Sequence, residues 1–283
     1  IADDGSDATI DSKGLDLCDT PNVSYHYFNK KTKGKKGTLE SALNELESEV
    51  ILLTDADCHP SSELWARKIG QLLTRNKSDI FIGYAPLSAP ESNWLTRLIR
   101  YETILTALQY LGWAKYGHPY MVVGRNVAYK KSVLSKGNWK NGSHLAGGDD
   151  DLFFQTIDAP KFVLSLDPET FTYSNTKNTW SSWLHQKSRH ASTSFAYPKK
   201  VKWTLMIMAF TQIIWWMIIL GPWWLWIPAI ILRYVLLHPS AKKAFKKLQA
   251  LDLYWFRPIL DFLMVGYYLA LGFKMIFRKK DDW

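Results

Sequence analysis

Cysteine is scarce in this chain: Cys18 and Cys58 are the only two among 283 residues. Two distant thiols give no disulfide framework, and a reducing compartment is the simpler setting. Internal repeats and low-complexity tracts are missing too, which sets aside repeat architectures. Acidic residues are outnumbered, 26 against 35 Lys and Arg, for a formal charge of +9. Nucleic acid, an anionic membrane face or a phosphorylated substrate would each suit that balance. Position separates them. Lys199, Lys200 and Lys202, then Lys242, Lys243, Lys246 and Lys247, then Arg278, Lys279 and Lys280 all flank apolar runs. That is the pattern of a leaflet anchor, so no nucleic-acid partner is expected.

The first 200 residues alternate β-like and helical stretches. Val23 to Phe28 is rich in β-branched and aromatic residues, and Thr38 to Leu46 has helical spacing. Val50 to Leu53 is a short apolar run of the kind buried on both faces of a sheet. Ser61 and Ser62 are placed to cap a helix running to about Thr74. A strand follows over Ile80 to Tyr84, a helix over Trp94 to Leu111, and a strand over Met121 to Tyr129. This rhythm predicts an α/β fold with a mostly parallel sheet, covered on both faces.

Charge then vanishes. Trp203 to Leu220 is 18 residues without a charged side chain, long enough to cross a bilayer. Gly221-Pro222 breaks it, and Trp223 to Leu237 follows with one charge, Arg233. A basic segment, His238 to Arg257, leads to a third apolar run, Ile259 to Phe277. Aromatics cluster near the run ends, as at a membrane interface. The basic flanks of the first two runs predict a hairpin with both ends cytoplasmic, hence an integral membrane protein whose catalytic domain faces the cytoplasm. Arg278 to Lys280 lie on the wrong side for a plain third span, which reads as tilted, re-entrant or interfacial.

Four polar features carry the chemistry. Asp55-Ala56-Asp57 directly follows the strand Val50 to Leu53, where open α/β sheets bind ligands. Two carboxylates one residue apart converge on a hard cation, Mg²⁺ or Mn²⁺, that bridges a nucleotide diphosphate. Gly148-Asp149-Asp150-Asp151 packs three carboxylates together, which raises at least one pKa and offers a general base. The same residues also suit a helix N-terminus. Asp3-Asp4-Gly5-Ser6 places carboxylates where a strand ends, able to accept from a nucleoside or to form an ordinary turn. Gln186-Lys187-Ser188-Arg189-His190, behind Trp180 and Trp183, offers a diphosphate-binding Arg189 and a sugar-binding Gln186 beside the first apolar run. A purely membrane-seating amphipathic helix is the plainer reading of that stretch.

The order of these features resembles the family 2 glycosyltransferases of the GT-A fold, in the membrane-attached branch with cellulose and hyaluronan synthases and ceramide glucosyltransferase. Asp3 to Ser6 matches the nucleoside-binding DDGS and Thr54 to Asp57 the TDAD. Lys36-Gly37 with Leu39, Ala42 and Leu43 resembles the segment before the DxD strand. Gly124 to Tyr129 resembles the glycine-asparagine strand near the acceptor, Gly148-Asp149-Asp150 the acidic turn, and Gln186 to His190 the QxxRW segment. The resemblance implies a Rossmann-like GT-A domain over residues 1–200, followed by two or three transmembrane or interfacial helices over 201–283. Since Ile1 reads as a strand end, the first βα unit is expected to be missing.

It also implies roles: Asp150 as acceptor base with Asp149 next, and Asp55 and Asp57 on a divalent cation. Asp3, Asp4, Lys36, Asp55, Gln186 and Arg189 would bind the donor, a UDP-sugar by resemblance. The acceptor would be lipid-linked or a glycan, and transfer would invert without processivity. His190 stands where the family has Trp, which weakens processivity. A non-catalytic membrane scaffold that binds nucleotide-sugar is the alternative. A polymerase palm with paired Asp residues fits the parallel rhythm and the apolar runs poorly.

Overall fold

The computed structural model describes residues 2–3, 26–27, 39, 41–43, 45–134, 136–137, 149–158 and 160–276. β1 (Ala2–Asp3) pairs in parallel with β2 (His26–Tyr27). β3 (Val50–Leu53) leads to β4 (His59–Pro60) and helix α1 (Trp65–Arg75). β5 (Ile80–Ile82) and β6 (Leu87–Ser88) precede the long helix α2 (Trp94–Lys115). Then come β7 (Val127–Lys130), α3 (Lys131–Leu134), α4 (Asp149–Phe154), β8 (Phe162–Leu164), β9 (Thr172–Asn175) and α5 (Trp180–Thr193). The apolar third forms α6 (Lys199–Trp216), a 3-10 turn over Met217–Leu220, α7 (Trp223–Lys247), short α8 (Leu251–Tyr254) and α9 (Arg257–Ile276).

The main sheet runs β3-β7-β5-β8. β5 and β8 are parallel, whereas β7 lies antiparallel to both β3 and β5. The expected mostly parallel sheet is therefore mixed among the described residues. A short continuous apolar run marks a strand buried on both faces in either direction, so the pattern could not reveal the reversal. β7 is also shorter than the expected Met121 to Tyr129, because the chain turns at Val123, whose carbonyl accepts from Asn126 N at 2.8 Å.

Side-chain alternation builds two cores. Phe81 and Ala128 point to α1, where Trp65, Ile69 and Leu73 share one face at four-residue spacing. Ile80, Ile82, Val127 and Tyr129 point the other way into the larger core with α2. α2 begins where expected because Asn93 and Thr96 cap it reciprocally, at 2.9 and 3.1 Å. Ser61 and Ser62 do not cap α1 directly. Ser62 Oγ accepts from Leu64 N at 3.1 Å in the turn before it, and Ser61 Oγ donates to the Pro168 carbonyl at 2.6 Å.

Three helical stretches are long and apolar enough to cross a membrane: Lys199–Leu220, Trp223–Lys247 and Arg257–Ile276. The second continues as helix into the basic segment expected to follow it, as far as Lys247. Its Pro239 loses one backbone donor, but the Ala- and Lys-rich turns beyond favour helix, and Lys246 and Lys247 suit its C-terminal dipole. The third docks on the α/β domain through its first half. Leu260 and Met264 are fully buried, and Tyr267 stacks on Trp183 of α5 with ring centroids 4.6 Å apart. Asp261 accepts from Tyr101 of α2 at 2.5 Å and from Tyr234 of α7 at 2.6 Å. The second half, with Leu269, Phe273 and Ile276, is exposed.

This asymmetry is measurable. Trp183→Ala should cost about 3–5 kcal/mol, read as a lower melting temperature of the detergent-solubilised protein. Ile276→Ala, at the exposed end of α9, should stay within about 0.5 kcal/mol of wild type. Equal losses from the two would contradict the docked first half.

Candidate functional site

A cavity of about 1100 Å³ opens beyond the carboxyl end of β3. Asp55, Asp57, Asp150, Gln186, Arg189 and His190 all line it. The structure thus brings together three of the four features singled out in the sequence, from three separate elements. Asp3 falls in β1, Asp4 and Lys36 lie outside the described residues, and of Asp149 only its place at the start of α4 is described.

The turn after β3 closes through Cys58 N donating to the Asp55 carbonyl at 3.0 Å. Asp55 is half-buried and Asp57 exposed. Among the described residues no three His, Cys, Asp or Glu side chains converge closely enough to hold a metal ion unaided. Two carboxylates at an open rim nevertheless fit a hard cation that draws its remaining oxygens from phosphates and water. The donor set is suited to Mg²⁺ or Mn²⁺ arriving with a diphosphate.

The acidic turn is held from below by the 121–126 segment. Gly124 N donates to Asp150 Oδ2, and Val122 N donates to Asp151 Oδ1 at 3.2 Å. A Cβ on Gly124 would sit 2.7 Å from Asp150 Oδ2, so this close approach requires glycine. Asp151 Oδ2 accepts from the Tyr197 hydroxyl at 2.7 Å. Desolvation, then the neighbouring Asp150, pushes the Asp151 carboxyl well above the carboxylate range, against the pull of Tyr197 and Val122. Both adjacent acids line the cavity but differ in how they are held: Asp150 accepts from the Gly124 N–H, while both oxygens of Asp151 are taken by Val122 N and Tyr197, which makes it a brace. The run of three Asp residues announced the pKa conflict, but nothing in the sequence pointed to Tyr197.

α5 supplies the opposite wall. Trp183 is fully buried and fixes the helix, which presents Gln186, Lys187, Arg189 and His190 to the cavity. Lys187 Nζ lies 2.5 Å from Glu102 Oε2 of α2, so that cation is already paired inside the protein. His190 lines the cavity, and desolvation there, followed by Lys187, Arg189 and Arg125, lowers its pKa to about 3.

Arg125 joins the cations of the cavity, held by Ser174 Oγ and by the Ala85 carbonyl at 3.1 Å. Asn126, by contrast, is fully buried. Its Nδ2 donates to the Tyr84 and Thr170 carbonyls at 2.7 and 2.8 Å, and its Oδ1 accepts from Trp65 Nε1 at 3.2 Å. It braces the strand ends and does not face a ligand.

No family model matches the chain. It is 26% identical over 169 residues to a curated protein described as the probable glycosyltransferase YdaM of Bacillus subtilis (strain 168). That match covers 56% of this chain and 38% of the relative, so the chain spans less than two thirds of the relative's length. Among solved structures it is similar to the mannosyltransferase PcManGT from Pyrobaculum calidifontis, determined in complex with GDP-Man and Mn²⁺. The TM-score is 0.50 at 15% identity, over 92% of this chain and 72% of that one. This likeness shows a shared fold.

The raised Asp151 pKa has a stability signature. The folded state holds that proton more tightly than the unfolded chain, whose Asp titrates near 3.9. Stability from this group is therefore highest in acid and falls as pH rises above about 4, toward the folded-state pKa. Asp151→Asn cannot lose the proton, so its melting temperature should gain on wild type as pH goes from about 4 to about 7. A constant difference across that range would contradict the assignment.

Proposed function

We propose that this chain is a membrane-bound, metal-dependent glycosyltransferase of the GT-A type. It would transfer a sugar from a nucleotide-sugar to a lipid-linked or glycan acceptor, with inversion and one sugar per encounter. Residues 1–200 form the catalytic domain facing the cytoplasm, and 201–283 form the membrane region. One observation carries the reading. Asp55, Asp57, Asp150, Gln186 and Arg189 meet at one cavity, which continues among the apolar helices. The name of the B. subtilis relative and the GDP-Man and Mn²⁺ bound by the archaeal mannosyltransferase support the same chemical class. The sequence resemblance favours UDP as the nucleoside, and the assay below identifies it.

Asp55 and Asp57 would hold the cation, which when bound offsets charge on the departing diphosphate. Arg189 and Arg125 line the same cavity, where guanidinium forks suit phosphate oxygens. Asp150 takes the proton of the acceptor hydroxyl. The acceptor oxygen bonds to the anomeric carbon from the side opposite the breaking bond to the nucleoside diphosphate. Gln186 hydrogen-bonds sugar hydroxyls, and neutral His190 adds a further donor and acceptor. Asp3, Asp4 and Lys36 bind the nucleoside, and Asp149 is the neighbouring candidate for the base. A scaffold that binds nucleotide-sugar without turnover is the second reading, favoured by His190 in place of Trp.

The test is nucleoside diphosphate release by the protein in nanodiscs, over a panel of nucleotide-sugars, with Mn²⁺ or EDTA and lipid extract as acceptor. Metal-dependent release from one donor is expected, lost in Asp57→Ala. Asp150→Asn should slow transfer by about 10²- to 10⁴-fold with donor affinity nearly unchanged. Near-normal transfer by Asp150→Asn would remove the base assignment, and silence with every donor would favour the scaffold.

A further inference from the structure

The cavity does not stop at the carboxylates. It runs on between α6, α7 and α9, where Leu205, Met208, Leu237 and Ala241 form apolar walls. Gln212 of α6 and Arg233 of α7 line the same stretch. Arg233 lies near the middle of a helix apolar enough to cross a membrane. Its Nη2 donates to Gln212 Oε1 at 3.3 Å, and its guanidinium lies 4.8 Å from the Trp215 ring centroid. Among the described residues no carboxylate forms an ion pair with it. Asp261 also lines the cavity, but two tyrosine hydroxyls already donate to it.

The hydrogen-bond inventory here is one-sided. Arg233 offers only donors, which fixes the Gln212 amide with its oxygen toward the guanidinium. Gln212 Nε2, on the cavity wall, is then a buried donor without an acceptor, and Trp215 Nε1 behind the wall is another. A cation among membrane-type helices is costly unless an anion or water meets it. An arginine beside an amide donor that has no acceptor matches the oxygens of a phosphate. Uncharged glycan hydroxyls would neither neutralise Arg233 nor match donors alone. The apolar walls exclude a bare inorganic ion as the intended occupant and fit a hydrocarbon chain.

We propose that Arg233 and Gln212 bind the phosphate of an anionic lipid whose apolar chain lies along α6 and α7. That this lipid is the sugar acceptor rests on the transferase reading above; its binding does not. The site makes the cavity amphipathic end to end, with carboxylates for the donor's cation at one end and a phosphate-reading cation at the other.

The experiment is native mass spectrometry of the full chain in detergent, titrated with farnesyl phosphate, farnesol or inorganic phosphate. Wild type should bind farnesyl phosphate at least about tenfold more tightly than farnesol, and inorganic phosphate weakly. Arg233→Gln should weaken farnesyl phosphate about tenfold or more and leave farnesol within about twofold, the fold-change expected when a hydrogen bond to a charged group is lost. Arg233→Lys should restore part of the preference. Gln212→Leu, which leaves the charge in place, should weaken farnesyl phosphate by a smaller factor and decides the matter should Arg233→Gln not fold. Equal binding of farnesyl phosphate and farnesol by wild type would overturn the proposal. So would unchanged farnesyl phosphate binding in folded Arg233→Gln, or inorganic phosphate binding as tightly as the lipid. Nucleotide-sugar turnover measured on the same samples separates the two ideas. Phosphate selectivity without turnover removes the transferase reading alone, and turnover without selectivity removes the lipid site alone.

Discussion

The stack of Tyr267 on Trp183 is the contact on which the geometry of the cavity depends. Trp183 is fully buried, and the first half of α9 closes over it. α5 is thereby held across the carboxyl ends of the strands, with Gln186, Arg189 and His190 opposite Asp55, Asp57 and Asp150. Loosening the stack weakens the packing of α5 on α9, the wall that carries Gln186, Arg189 and His190. An apolar contact thus sets an electrostatic site, which suits chemistry that needs opposing charges held in fixed positions.

The charges are sorted by what already occupies them. Lys187 is paired with Glu102, Asp261 accepts from two tyrosines, and Asp151 is tied to Tyr197 and Val122. Such internal pairs stiffen the walls and neutralise groups that would otherwise compete for a ligand. Arg189 and Arg233 have no carboxylate partner among the described residues and stand on separate walls of the cavity. A nucleoside diphosphate and a lipid phosphate are the two anions proposed for them.

Much of this was legible in the sequence, for specific reasons. The short apolar run before Asp55-Ala56-Asp57 marked a strand and a turn that lines the cavity, and the 18-residue uncharged run marked a membrane-type helix. Direction and docking were not legible. Val127 to Tyr129 of β7 is a continuous buried apolar run, as parallel strands often are, yet β7 runs antiparallel to its neighbours. The third apolar run looks like a span by composition, and only its packing on Trp183 and Tyr101 shows that half of it serves the α/β domain. Asn126 lies in the segment that resembles the strand near the acceptor, and its side chain is a buried brace, since a side chain's direction depends on a turn that the sequence does not announce. Arg233 looked like one stray charge in a membrane segment, and its meaning emerged from the donors around it.

The most direct measurement is a structure of the protein in a lipid nanodisc with Mn²⁺ and a non-hydrolysable nucleotide-sugar. The account predicts the diphosphate between the Asp55–Asp57 turn and Arg189, with the anomeric carbon facing Asp150. A donor bound outside this cavity, or a diphosphate that touches neither the turn nor α5, would contradict it.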